Sequence, residues 1–95
     1  MTNEDIVERL REHFGNDEEI LNQIVMFENP SYADAIIGIS DDNRLIYSYD
    51  KMIEHLMIAE NMSDIDAVDF IEYNTMGSLS SVSNPPIVMH SIIDL

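Results

Sequence analysis

The sequence predicts a small α+β domain, and three patterns carry that prediction. Apolar residues recur at helical spacing in four stretches. Two short runs rich in β-branched residues, Ala35-Ile36-Ile37-Gly38-Ile39 and Leu45-Ile46-Tyr47, flank the turn-forming Ser40-Asp41-Asp42-Asn43-Arg44, which reads as a β-hairpin. A further apolar run at 87–93 follows Asn84-Pro85-Pro86 and reads as a third strand. The expected layout is a helical hairpin, the β-hairpin, two further helices and a C-terminal strand that pairs with the hairpin in a small antiparallel three-stranded sheet.

The first helix is marked by Thr2 standing three residues before Asp5, a capping-box arrangement, with Ile6, Val7, Leu10 and Phe14 on one stripe and Gly15 at its end. Asn16 or Asp17 caps a second helix carrying Ile20, Leu21, Ile24, Val25 and Phe27, which must stop before Pro30. In the hairpin turn, Asp and Asn tolerate the left-handed conformation that a tight turn needs. Ser48 or Asp50 caps a third helix with Met52, Ile53, Leu56, Met57 and Ala59, ending near Asn61. Ser63 with Asp66 repeats the capping pattern for a fourth, with Ala67, Val68, Phe70 and Ile71 inward and an end near Asn74. Ser, Gly, Asn and Pro dominate 75–86, which is expected to be an exposed loop. Ninety-five residues make one domain, 1–95, with room for one modest core.

Charge is the strongest compositional signal. Nineteen acidic residues face four basic ones, a formal net charge of -15. Lys and Arg supply the phosphate neutralisation that drives contact with nucleic acid and anionic lipid, so direct binding to either is not expected. The same field attracts basic protein surfaces, and many of those are built to hold nucleic acid. No cysteine is present, and no apolar run approaches the ~20 residues that span a bilayer. The N-terminus carries no basic and apolar leader pattern. Together these readings predict a cytoplasmic protein.

No catalytic, metal or cofactor pattern emerges from the residues. His13, His55 and His90 fall on different elements without the i, i+4 spacing of a helical zinc motif. Asp41-Asp42-Asn43 lacks the alternating oxygen ligands and closing Glu of an EF-hand. Gly15, Gly38 and Gly77 are too dispersed for a phosphate-binding loop. The seven methionines sit mostly in apolar stripes, where core packing accounts for them.

The fourth helix is the best candidate site. At about 100° per residue, Asp66, Asp69 and Glu72 share the arc opposite Ala67, Val68, Phe70 and Ile71, and Asp64 stands at the positive end of the helix dipole. No Lys or Arg occurs after Lys51, so these acids have no local cation of the i, i+4 kind. Asp17, Glu18 and Glu19 form a second acidic cluster where the second helix begins, a place where capping alone favours carboxylates. The expected partner-binding residues are therefore Asp64, Asp66, Asp69 and Glu72, with Asp17, Glu18 and Glu19 as the secondary cluster.

Ala35-Ile36-Ile37-Gly38, the turn ending in Asn43-Arg44, Tyr47-x-Tyr49-Asp50-x-Met52-Ile53-Glu54-x-Leu56 and Phe70-Ile71-Glu72-Tyr73-Asn74-Thr75 cover about half the chain. In these segments it resembles a group of small acidic uncharacterised proteins of Gram-positive phages and mobile elements. Members of that group tend to continue after Thr75 with an Arg and a Pro-Tyr segment, where this chain has Met76-Gly77-Ser78-Leu79. The resemblance carries no catalytic motif and implies a setting in a bacterial host cell. By analogy of size and charge, it places the chain beside anti-CRISPR and anti-restriction inhibitors that occupy the nucleic-acid channel of their target. The expected function is therefore non-enzymatic: an acidic inhibitor, anti-CRISPR-like or otherwise anti-defence, of a basic nucleic-acid-binding surface such as that of a CRISPR nuclease effector. The alternatives are a phage accessory or homo-oligomeric protein with incidental acidity, and a small hydrolase whose site assembles only in the fold. No cofactor is expected. The uncharged third strand offers an edge for pairing, so the chain is expected to be a monomer or a homodimer.

Overall fold

A computed structural model describes residues 1–93. Helix α1, Asn3–Phe14, begins with the expected capping box: Asp5 N–H donates to Thr2 Oγ1 at 3.2 Å, and Thr2 N–H donates to Asp5 Oδ2 at 2.9 Å. It ends at Gly15 with φ 63, the left-handed cap that glycine permits. Helix α2 is a single turn, Glu18–Leu21, far shorter than the apolar stripe predicts. Phe27, the last residue of the expected stripe, is held outside the helix. Its N–H donates to the Tyr47 hydroxyl at 3.1 Å and its carbonyl accepts from the Asn3 side-chain amide at 2.9 Å. Those partners satisfy backbone groups that a longer helix would use internally, and Phe27 packs 4.7 Å from the Tyr47 ring instead.

Strands β1, Ile36–Ile39, and β2, Leu45–Ser48, pair antiparallel with a bulge at Ile37, and Asn43 takes the left-handed conformation in the turn at φ 62. Ser48 ends β2 and caps helix α3, Tyr49–Ala59, so strand passes into helix without a loop. Helix α4, Asp64–Phe70, is capped by Ser63. Strand β3, Ile87–Met89, completes a sheet of order β1-β2-β3.

Two regions differ from the expected layout, 87–93 and 75–86. Strand β3 runs parallel to β2, with Ile46 opposite Ile87 and Ser48 opposite Met89, so the sheet is mixed and not antiparallel throughout. A parallel partner requires a crossover, and the helices between β2 and β3 supply one. The predicted strand 87–93 is also shorter, ending at Met89. The second change is at 75–86. The helical path does not stop near Asn74: α4 continues as a π segment, Ile71–Thr75, and a 3-10 segment, Met76–Ser81. Thr75 is buried and hydrogen-bonded to Tyr32, and Ser78 Oγ donates to the Thr75 carbonyl at 2.7 Å, which holds this stretch despite its loop-like composition. The segment that follows is tethered, with Arg44 Nε donating to the Pro85 carbonyl at 2.7 Å and Asn84 Nδ2 to that of Gln23 at 3.0 Å.

The core gathers buried residues of α1, the 32–35 segment, β2, α3 and the α4 path. Tyr32, Leu45, Tyr47, Met52, Leu56 and Ile71 are its largest fully buried side chains. Leu45 and Tyr47 alternate onto one face of β2, while Met52 and Leu56 lie one helical turn apart on α3. Among the described residues, no helix is long and apolar enough to cross a membrane.

Candidate partner-binding face

Helix α4 is oriented by its apolar stripe. Ala67 and Ile71 are fully buried, Val68 and Phe70 half-buried, and the opposite face is thereby turned to solvent. Ser63 Oγ accepts from the Asp66 N–H at 3.1 Å, which fixes the first turn, and the Asp64 carboxylate accepts from the Ile65 N–H at 2.9 Å. Asp64, Asp66, Asp69 and Glu72 are all exposed. None of the four is in an ion pair among the described residues.

The row is less uniform than its spacing implies. Glu72 accepts a hydrogen bond from the Tyr49 hydroxyl at 2.9 Å, and the Tyr49 ring lies 4.3 Å from that of His90 at 32°. Burial pushes the Tyr49 phenol up, and the bond to the Glu72 carboxylate adds to the shift, because phenolate beside carboxylate is disfavoured. Glu72 therefore ties the π segment to the start of α3, while the Asp66 and Asp69 side chains have no such tether among the described residues.

Two apolar side chains on the same face escaped the sequence reading. Ile65 is 71% exposed and Tyr73 is 86% exposed. Ile65 sits between Asp64 and Asp66, and Tyr73 follows Glu72, so membership of the acidic arc was the signal available for both. The π segment matters for Tyr73. A π turn holds more residues than an α turn and so rotates less per residue, carrying Tyr73 back towards the line of Ile65 and Asp69. The outer face thus combines exposed apolar groups with unpaired carboxylates.

The second cluster has a different environment. Asp17 Oδ1 accepts from the N–H groups of Glu19 at 3.1 Å and Ile20 at 3.3 Å, which makes it the cap of α2. Glu18 pairs with Arg11 across the α1–α2 turn. Glu19 is exposed in the first turn of α2. Local structure thus uses Asp17 and Glu18, and the fold brings this cluster into no ion-pair or hydrogen-bond network with the α4 face among the described residues.

The histidines remain separate: His13 packs on Phe14, His55 on Tyr32 and His90 on Tyr49. No group of three or more His, Cys, Asp or Glu side chains is placed to hold a metal ion among the described residues. Comparison with protein-family models, with curated proteins and with solved structures found no match for this chain.

Proposed function

We propose that this chain is a non-enzymatic binding protein whose α4 face docks on a basic surface of another protein, a surface built to hold nucleic acid, and so inhibits or regulates that protein. An anti-CRISPR or other anti-defence inhibitor is the specific form of the proposal. The observation that carries it is the α4 face itself, where Asp66 and Asp69 have no cation among the described residues while Ile65 and Tyr73 stand exposed beside them. Binding interfaces draw most of their energy from a few desolvated anchors, aromatic residues prominent among them, within a polar rim. Tyr73 and Ile65 have the character of anchors, and the carboxylates that of a rim.

The net charge of -15 supports the same reading through kinetics. A single-sign field speeds encounter with an oppositely charged surface and repels nucleic acid that competes for it. The test is a titration of the labelled chain against a panel of CRISPR nuclease effectors, with and without guide RNA. The expected result is saturable binding to an effector without guide RNA, weakened when the guide is bound first. Binding to none of the panel would remove the anti-CRISPR reading. Binding that is indifferent to guide RNA would remove the nucleic-acid surface as the target.

A further inference from the structure

A cleft of about 340 Å³ opens between the segment 25–30 and the end of the α4 helical path, with Phe27, Pro30, Phe70 and Leu79 among its apolar walls. That volume falls within the ~300–1,000 Å³ of small-molecule sites. Tyr32 and Thr75 also line it, 0% and 6% exposed, with their hydroxyl oxygens 2.9 Å apart.

This hydroxyl pair has one donor capacity left over. Two hydroxyls carry two protons, and the bond between them uses one. Neither oxygen has another hydrogen-bond partner among the described residues. Each oxygen thus has the other as its partner, and whichever group donates, the proton of the other has no protein acceptor among the described residues and is free to be donated to a ligand. Burial pushes the Tyr32 phenol up, so it stays protonated across the ordinary pH range.

Two backbone features meet at the same place. Tyr32 has φ 49, in the left-handed region that a bulky residue seldom enters. Thr75 closes the π segment Ile71–Thr75. Strained backbone and π turns both concentrate at functional sites, where surrounding structure holds them. Charge narrows the ligand further. Glu28 is the one charged residue lining the cleft among the described residues, and the chain carries -15 overall, so an anion is disfavoured.

We propose that this cleft binds a small organic molecule that carries no negative charge, with an apolar body and a carbonyl-type acceptor, and that the acceptor takes the spare proton of the Tyr32–Thr75 pair. The site is separate from the α4 outer face and does not depend on the partner proposed above.

Three probes of similar shape test it: acetophenone, which has a carbonyl; ethylbenzene, which has no acceptor; and benzoate, which is charged. Amide chemical shifts of the isotopically labelled chain are followed in each titration to millimolar probe. Acetophenone is expected to move amides of 25–32 and 70–82 saturably, ethylbenzene to bind the same place about five- to tenfold more weakly, and benzoate not to bind. Tyr32→Phe with Thr75→Val removes both donors and keeps the shapes, so it should retain ethylbenzene binding and abolish the preference for acetophenone. Leu79→Phe, at a half-buried wall position, should suppress both. The proposal is overturned by the absence of saturable shifts, by shifts elsewhere in the chain, by equal affinity for acetophenone and ethylbenzene, or by benzoate binding as well as acetophenone. It is also overturned if the preference survives in the double variant. Should that variant not fold, the probe comparison on the unmodified chain and on Leu79→Phe decides the matter.

Discussion

Replacing Tyr47 by Phe isolates one hydrogen bond in the core. The ring, with its 4.7 Å contact to Phe27, is kept, and only the acceptor for the Phe27 N–H, 3.1 Å away, is removed. A buried donor left without a partner costs about 1–3 kcal/mol. Phe27 is half-buried, so water reaches part of this surface and the lower half of that range, about 1–2 kcal/mol, is expected. For a domain of this size, that corresponds to a fall in Tm of roughly 5–10 °C. Urea unfolding followed by far-UV circular dichroism should show a lower midpoint with an unchanged m value. The variant also has a pH signature. Burial raises the Tyr47 phenol above its ordinary value of 10.0, with the Phe27 N–H opposing the shift. A phenol whose folded-state pKa is raised contributes stability that is complete below its unfolded pKa and is lost as pH rises through the folded one. The unmodified chain should therefore lose stability above about pH 10, and Tyr47→Phe should lose less there, with Tyr32 and Tyr49 supplying the remainder. A stability change under about 0.5 kcal/mol together with an unaltered alkaline slope would refute the assignment of this bond.

Two further predictions concern the core and the first cap. Leu56→Ala, at a fully buried position, should cost about 2–5 kcal/mol, whereas Ile58→Ala, two residues on and 76% exposed, should stay within about 0.5 kcal/mol; paired urea curves measure both. Asp5→Asn should flatten the acid limb of the stability profile. The Thr2 backbone and side-chain bonds hold the Asp5 carboxyl below its ordinary 3.8, so its contribution is present above that value and disappears as pH falls through the folded-state pKa. An acid titration of the two proteins that superimposes would contradict this.

Legibility from sequence followed the range of the interactions. The Thr2–Asp5 box, the Gly15 cap, the left-handed Asn43 and the Ser63 cap are settled within three or four residues, and each appears where the residue pattern places it. The non-helical path at Phe27 was not legible, because the Tyr47 hydroxyl binds the Phe27 N–H from 20 residues away. The π and 3-10 continuation of α4 was hidden for the same reason: Thr75 is anchored by Tyr32, 43 residues earlier in the chain. Strand direction is not written in an apolar run, so β3 could be located but not oriented until the crossover was known. On the candidate face, a spacing of about 100° per residue was enough to group Asp66 and Asp69 opposite the core stripe. It could not reveal that Tyr49 engages Glu72, or that Ile65 and Tyr73 remain uncovered.

The central claim is that the α4 face, and not net charge alone, makes the contact. Two triple variants of matched charge test it on the effector retained in the guide-RNA screen: Asp66→Asn, Asp69→Asn, Glu72→Gln against Asp17→Asn, Glu18→Gln, Glu19→Gln. Both should fold. Exposed substitutions of similar shape change stability by about 0.5 kcal/mol each. The amide oxygen introduced by Glu72→Gln can still accept from Tyr49, and the one introduced by Asp17→Asn can still cap α2. Rates and affinities are read by surface-based kinetics at low and high salt. If the α4 carboxylates are desolvated against a basic surface, each lost pair costs about 2–5 kcal/mol, so the first variant should dissociate faster and keep most of its loss at high salt. The second should show only a small, salt-suppressible fall in association rate. Equal, small and fully salt-suppressible losses from both variants would contradict the account, leaving the net charge of -15 as a steering field and α4 as a solvated helix face.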